Sequence, residues 1–212
     1  MGTIVPFEHL RANGVIVPFR LFFPQQYTRS IATLVAALCC IGPAASAAES
    51  NKYQRAEWLP KWSDADRDCQ NTRHELLVRF SLAPITYTDA RHCQVKGGLW
   101  MDPYTGQFFE LASDLDVEHI VPLKWAHERG GAEWSRERKR AFAEDPDNLW
   151  LVDDGRNQSK GHKGPDEWMP PYGPVGEYYL RRFLAVAEKY GLQVKPNESQ
   201  LILAMLADSS KG

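Results

Sequence analysis

The sequence is poor in cysteine, with only four cysteines among 212 residues. Two of them, Cys39 and Cys40, lie in an apolar segment near the N-terminus that we expect to be removed from the mature protein. The other two, Cys69 and Cys93, are an even pair, which in an exported domain favours one disulfide. On the loop-entropy model such a bond stabilises the fold by about 3 kcal/mol, less any strain. Two buried free thiols are the alternative.

The most pronounced apolar run near the N-terminus, residues 31–41 (IATLVAALCCI), is too short to span a bilayer as a helix. Arg29 precedes this run, and residues 45–47 (ASA) follow it as a small-residue cleavage pattern. We therefore predict that residues 1–47 contain a signal peptide with an N-terminal extension. The protein is then secreted or periplasmic, with no membrane association after cleavage. A buried helix is the alternative, but the polar segment that follows the run argues against it.

The chain has no excess of positive charge, because its formal net charge at pH 7 is −2. A binder of nucleic acid would therefore need local basic patches rather than a global field. Two such patches are present in the sequence, although a run of charges is more often a solvated helix face. The first contains Arg136, Arg138, Lys139 and Arg140, and the second contains Arg156, Lys160 and Lys163 with His162.

Internal repeats and long low-complexity tracts are also missing, and residues 48–212 are expected to form a single α+β domain. Apolar periodicity, capping residues and Pro or Gly stops predict its elements, after an irregular arm over residues 50–68. The predicted strands cover residues 107–111, 114–121 and 149–152. The predicted helices cover residues 72–80, 123–129, 135–144, a segment capped by Asp153 or Asp154 that runs to about residue 162, and residues 177–190 and 198–207.

Three short segments carry the chemistry of this sequence. Residues 116–122 (DVEHIVP) place a carboxylate directly before a histidine, residues 147–149 read DNL, and residues 157–160 read NQSK. Together they supply a general base, oxygen ligands for a hard metal ion and a nearby cation, which suits metal-assisted cleavage of a phosphodiester. Taken singly, each segment has a commoner explanation: a satisfied polar pair, a turn and a helix surface.

The spacing of these residues predicts how they meet. Asn157 and Lys160 are three residues apart, so they lie on one face of a helix. Two strands packed against that helix would bring Glu118, His119, Asn157 and Lys160 toward one point. His119 can then accept the proton of water, while Glu118 and Asn157 offer the oxygen ligands that Mg²⁺ accepts.

In order and register, DVEHIVP, DNLWL and N-x-x-K resemble the motif of HNH (ββα-metal) nucleases, with the last His replaced by Asn. The resemblance implies that His119 is the general base, that Glu118 and Asn157 hold the metal, and that Asn148 holds the His119 loop. It also implies that Lys160 makes a phosphate or structural contact. Asp is commoner than Glu at the position of Glu118, so Asp116 could take over its role as ligand.

The register also resembles the zinc-ribbon variety of HNH domains, except that Asp153 and Arg156 occupy its cysteine positions. The resemblance therefore implies a zinc-less H-N-N form that uses Mg²⁺ or Mn²⁺ and carries no structural zinc. It further implies a ββα-metal core over residues 114–163, with short antiparallel strands, surrounding helices and an N-terminal arm. Similarity to exported bacterial HNH proteins extends over most of residues 53–191.

These observations predict a metal-dependent endonuclease that acts on DNA rather than RNA, with little sequence preference. Phosphate contacts are expected from Arg156, His162 and Lys163. A catalytically silent binding or structural module on the same scaffold is one alternative.

A secreted calcium-binding domain is the other alternative. Asp64, Asp66, Asp68 and Glu75 stand at positions one, three, five and twelve of an EF-hand-like loop. Cys69 occupies the position of the invariant glycine, which argues against this site.

Overall fold

The computed structural model describes residues 52–209. The predicted signal peptide, with Cys39 and Cys40, lies outside the described residues. None of the helices formed by residues 52–209 is both long enough and apolar enough to cross a membrane.

The strands form two small antiparallel sheets. The first sheet has the order β1-β2-β3, with β1 at Thr86–Tyr87, β2 at Val95–Met101 and β3 at Phe108–Leu111. The second is a pair in which β4, Leu115–His119, lies against β5, Leu149–Asp153. Together with the helices, these sheets confirm the predicted α+β class.

β4 ends earlier than predicted, at His119 rather than at residue 121. The backbone amides of Ile120 and Val121 donate hydrogen bonds to Asn148 instead of continuing the strand ladder. The loop after His119 therefore leaves the sheet at a fixed position.

Seven α-helices are present among the described residues, and most were predicted with a shift of one or two residues at their ends. Asn71, Ser135 and Asp153 cap three of them through side-chain oxygens that accept backbone N–H groups of the first turn. The helices are α1 at Arg55–Trp58, α2 at Thr72–Phe80, α3 at Leu123–His127, α4 at Arg136–Ala143, α5 at Asp154–Lys160, α6 at Gly176–Lys189 and α7 at Pro196–Ser209.

The β4-β5 pair separates two hydrophobic clusters, because alternate residues of a strand point to opposite faces. One cluster combines residues of both strands, such as Val117 and Leu151, with Leu77 of α2 and Trp100 of β2. The other contains Val152 of β5 and residues of α1, α3, α4, α6 and α7. The two faces of the β4-β5 pair thus pack against different elements.

The N-terminal arm, residues 52–69, is docked rather than loose. Its short helix α1 was not predicted, because four residues are too few to show a periodicity. Trp58 of α1 is fully buried, and its ring centroid lies 5.7 Å from that of Phe142 in α4. Burying a large aromatic ring in this way stabilises the docked arm by about 2–3 kcal/mol.

The predicted disulfide is present between Cys69 and Cys93, and it links residues 24 apart in sequence. It joins the end of the arm to the segment that leads into β2. Reduction should lower the free energy of unfolding by about 3 kcal/mol, because the unfolded chain regains the entropy of the closed loop. Thermal unfolding with and without reductant tests this, and an unchanged melting temperature would show that the bond contributes nothing.

Candidate active site

The loop that follows β4 is fastened by Asn148. This side chain is fully buried, its Oδ1 accepts the amide of Val121 at 2.8 Å, and its Nδ2 donates to the carbonyl of Val121 at 3.2 Å. The backbone carbonyl of Asn148 accepts the amide of Ile120 at 2.9 Å. Three hydrogen bonds from one residue therefore fix the backbone directly after His119.

Glu118 and Lys160 form a buried ion pair between β4 and α5. Lys160 is 0% exposed and Glu118 is 4% exposed. The Lys160 ammonium donates to Glu118 Oε1 and also to the backbone carbonyl oxygen of His119, at 3.0 Å for the latter. Burial raises the pKa of Glu118 and lowers the pKa of Lys160, while their mutual attraction opposes both shifts.

The buried position of Lys160 corrects two predictions. A side chain with no exposed surface does not face an incoming phosphate, so of the two predicted roles the structure supports the structural contact. Lys160 also does not belong to an exposed basic patch. The same holds for Lys139 of the other patch, which is buried and binds Glu57 at 3.1 Å.

Asn157 contacts Asp116 rather than Glu118. The Asn157 Nδ2 atom lies 3.1 Å from Asp116 Oδ2, and both residues are partly exposed. The amide oxygen and nitrogen exchange places by a half-turn of the amide group. The pair thus presents one carboxylate and one amide oxygen at the junction of β4 and α5.

The ring of His119 is held in a different environment. Its Nε2 lies 2.8 Å from the carbonyl oxygen of Ala143, and a carbonyl only accepts, so Nε2 carries the proton. The lone pair of the neutral ring is therefore on Nδ1. The ring is 5% exposed and stacks on Trp62, with centroids 5.7 Å apart and planes at 12°.

The imidazole of His119 is neutral near pH 7. Burial lowers its pKa to about 3; the hydrogen bond to Ala143 opposes this shift, and the positive charge of Arg55 adds to it. A neutral imidazole has the free lone pair that a general base requires.

The four predicted side chains do not all meet at one point. Glu118 meets Lys160, Asn157 meets Asp116, and the ring of His119 meets Trp62 and Ala143. The reason is strand geometry: adjacent residues such as Glu118 and His119 leave β4 on opposite faces. Lys160 connects Glu118 to His119, because its ammonium binds the carboxylate of Glu118 and the backbone carbonyl of His119.

The contacts that hold the N-terminal arm beside His119 were not predicted. Ser63 donates to Glu144 through its amide and its hydroxyl, both at 2.7 Å, across 81 residues of sequence. Arg140 binds the same carboxylate from the preceding turn of α4. No periodicity or motif relates residues so far apart, so only the folded chain reveals them.

Glu144 makes stability depend on pH. Burial alone would raise its pKa, but hydrogen bonds from Ser63 and Arg140 outweigh burial, and its pKa lies below the ordinary value. The stabilisation is therefore present above about pH 5 and is lost as the pH falls through the folded-state pKa. Glu144→Gln should flatten the decline of the unfolding free energy below about pH 5, measured with urea. A decline parallel to that of the wild type would contradict this assignment.

The three predicted phosphate-binding residues are all exposed and lie in or just after α5. Lys163 Nζ donates to the carbonyl of Ser159 at 2.9 Å, and His162 Nε2 lies 3.3 Å from Lys124 Nζ. Arg156 stands in the first turn of the helix. Arg156, His162 and Lys163 are thus available on the surface in or just after α5.

Three of the four acidic residues that suggested a calcium site lie close together, and Glu75 is not part of this group. Ligand oxygens of Asp64, Asp66 and Asp68 lie within 4.8 Å of one another on the surface. Burial raises the pKa of Glu75, and the negative charges of these three residues raise it further. Cys69, at the glycine position, has a positive φ of 79°.

Comparison with known proteins gives a family and one curated relative. The family model for the C-terminal domain of GmrSD restriction endonucleases matches residues 74–205. An uncharacterized secreted protein of Arthroderma benhamiae is 35% identical over 162 residues, which cover 73% of this chain and 74% of that protein. No solved structure matches this chain.

Proposed function

Because the chain belongs to the HNH-type nuclease family of the GmrSD restriction endonuclease C-terminal domain, we propose that it is a metal-dependent endonuclease. Its substrate would be DNA, cleaved with little sequence preference. Similarity to a secreted protein is consistent with secretion of this chain, for which residues 1–47 would supply the signal.

The proposed catalytic core is the unit formed by β4, β5 and α5. Its order of strand, strand and helix is that of a ββα-metal core. The first motif segment begins on β4, the second leads into β5, and the third lies on α5. The contact of Asn157 with Asp116 is the single observation that carries this proposal, because it brings the amide of the last motif segment to the carboxylate of the first.

His119 is proposed as the general base. Its Nδ1 lone pair would accept a proton from the water that attacks phosphorus, while the Nε2–H donates to Ala143 and keeps the ring in that tautomer. Asn148 fixes the adjoining loop, so the backbone that carries the base does not shift during the reaction. Proton transfer by a positioned side chain contributes about 10²-fold to 10⁴-fold in rate.

Asp116 and Asn157 are proposed as the protein ligands of Mg²⁺ or Mn²⁺. Carboxylate and amide oxygens suit these hard cations, and both side chains are partly exposed, so water and phosphate could complete the coordination. The bound ion would stabilise the negative charge that develops on the phosphate. Glu118 is the weaker choice, because Lys160 already engages its carboxylate in the interior.

The ligand assignment predicts a metal-dependent defect. Asp116→Ala and Asn157→Ala should each reduce cleavage, and higher Mg²⁺ or added Mn²⁺ should restore part of it, because a ligand is lost rather than the base. Mn²⁺ binding measured by electron paramagnetic resonance should weaken in both variants. If added metal restores a His119→Ala variant equally well, the assignment of roles is wrong.

The exposed residues Arg156, His162 and Lys163 are proposed to bind the phosphate backbone. Such contacts position a nucleic acid without reading its bases, which fits low sequence specificity. The test is a panel of supercoiled DNA, single-stranded DNA and RNA, each incubated with the purified protein and Mg²⁺. Cleavage of DNA faster than RNA supports the proposal, and cleavage of RNA alone would overturn the substrate class.

A further inference from the structure

The N-terminal arm supplies one wall of the environment of His119. Among the residues that the structure describes, Trp62 is the aromatic residue that stacks on this imidazole, with nearly parallel planes. The Nε2 edge of the His119 ring is held by the carbonyl of Ala143. One hydrogen bond leaves an imidazole free to rotate about that bond, whereas a second ring stacked on its face restricts this rotation.

Trp62 is itself fixed by the residue that follows it. Ser63 binds both carboxylate oxygens of Glu144, and its carbonyl accepts the amide of Thr72 at 2.8 Å. Glu144 directly follows Ala143 in sequence. Ala143 therefore holds the histidine ring, and its neighbour Glu144 holds the arm that covers the ring. The end of α4 thus positions His119 and Trp62 relative to each other.

This part of the arm precedes residues 74–205, which the family model covers. We infer that Trp62 is a positioning residue for His119, and that the Ser63–Glu144 contact holds Trp62 in place. The inference rests on the proposed function, in which Nδ1 of His119 must stay aimed at water. The arm then belongs to the catalytic unit rather than to a dispensable extension.

The test combines turnover with a direct observation of the imidazole. Full-length protein labelled with ¹⁵N-histidine is compared for the wild type, Trp62→Phe, Trp62→Leu and the exposed neighbour variant Lys61→Ala. A His119→Gln sample identifies the His119 signals. Long-range ¹H–¹⁵N spectra report which ring nitrogen carries the proton, and cleavage of a defined DNA oligonucleotide gives kcat and KM.

We expect Trp62→Leu to lower kcat by about tenfold to 10²-fold through misplacement of the base, with unchanged KM and Mn²⁺ affinity. Its His119 signals should show both tautomers, whereas the wild type shows the Nε2–H form alone. Trp62→Phe keeps a ring on the imidazole and should retain most of the activity. Lys61→Ala should match the wild type in both measurements.

A Trp62→Leu protein that keeps the single Nε2–H tautomer and the wild-type kcat would overturn the inference. If Trp62→Leu does not fold, Ser63→Ala replaces it: it should shift the tautomer and kcat in the same direction, and wild-type behaviour of this variant overturns the inference. If the wild type does not cleave nucleic acid, the proposed function fails, and the tautomer spectra alone decide whether Trp62 positions His119.

Discussion

Replacement of His119 by Ala is expected to reduce DNA cleavage on the order of 10²-fold or more, with the fold retained. The variant loses a neutral imidazole whose protonated Nε2 is tied to a backbone carbonyl and whose Nδ1 can accept a proton. Because the metal ligands remain, Mn²⁺ binding should be unchanged. Initial rates of plasmid nicking, measured at saturating Mg²⁺, give the size of the effect.

His162→Ala is the matched control for this prediction. His162 is exposed and lies beside Lys124 near the end of α5, where it would contact phosphate rather than the attacking water. Its loss should raise KM while leaving kcat near the wild-type value. Near-normal turnover by His119→Ala, with circular dichroism and melting that match the wild type, would exclude His119 as the base.

The largest effect on stability is expected at the buried pair between β4 and α5. Lys160→Met should lower the free energy of unfolding by about 3–5 kcal/mol, because Glu118 then stays in the interior without its cation. The carbonyl of His119 loses a donor at the same time. Urea unfolding of the wild type and the variant, followed by fluorescence, gives the difference.

The double variant Glu118→Leu/Lys160→Met separates charge from packing. Removing both charges leaves mainly the unpaired His119 carbonyl, which costs about 1–3 kcal/mol. The double variant should therefore be more stable than Lys160→Met alone. If the two variants unfold at the same urea concentration, the ion pair is not the source of the loss.

Much of the fold could be predicted because its determinants are local. Thr72–Phe80 was predicted without error, since Asn71 caps it and its apolar residues recur at helical spacing. α5 ends at Lys160 rather than near residue 162, because Gly161 adopts a positive φ of 57°. Local capping and turn chemistry leave traces in sequence, and those traces located both elements.

The candidate site was predicted less completely, because burial and long-range contacts decide its geometry. The sequence identified Asn157 as the partner of a carboxylate on β4, but the buried Lys160 engages Glu118 and leaves Asp116, which lies on the same face of the strand, as that partner. Trp62 entered the sequence analysis only as part of an irregular arm. Its place against His119 depends on Glu144, which lies 82 positions further along the chain.

The most direct test of metal-dependent cleavage by this protein uses supercoiled plasmid incubated with purified wild-type protein in Mg²⁺, in a chelator, and in chelator followed by excess Mg²⁺. His119→Ala protein prepared in parallel serves as the reference. We expect nicking by the wild type in Mg²⁺, none in chelator, recovery when Mg²⁺ is restored, and little nicking by His119→Ala. Nicking that persists in chelator would contradict metal dependence. Equal, substantial rates for the wild type and His119→Ala would contradict the role of His119 as the base. Equally low rates in both proteins would point to a catalytically silent module on the same scaffold.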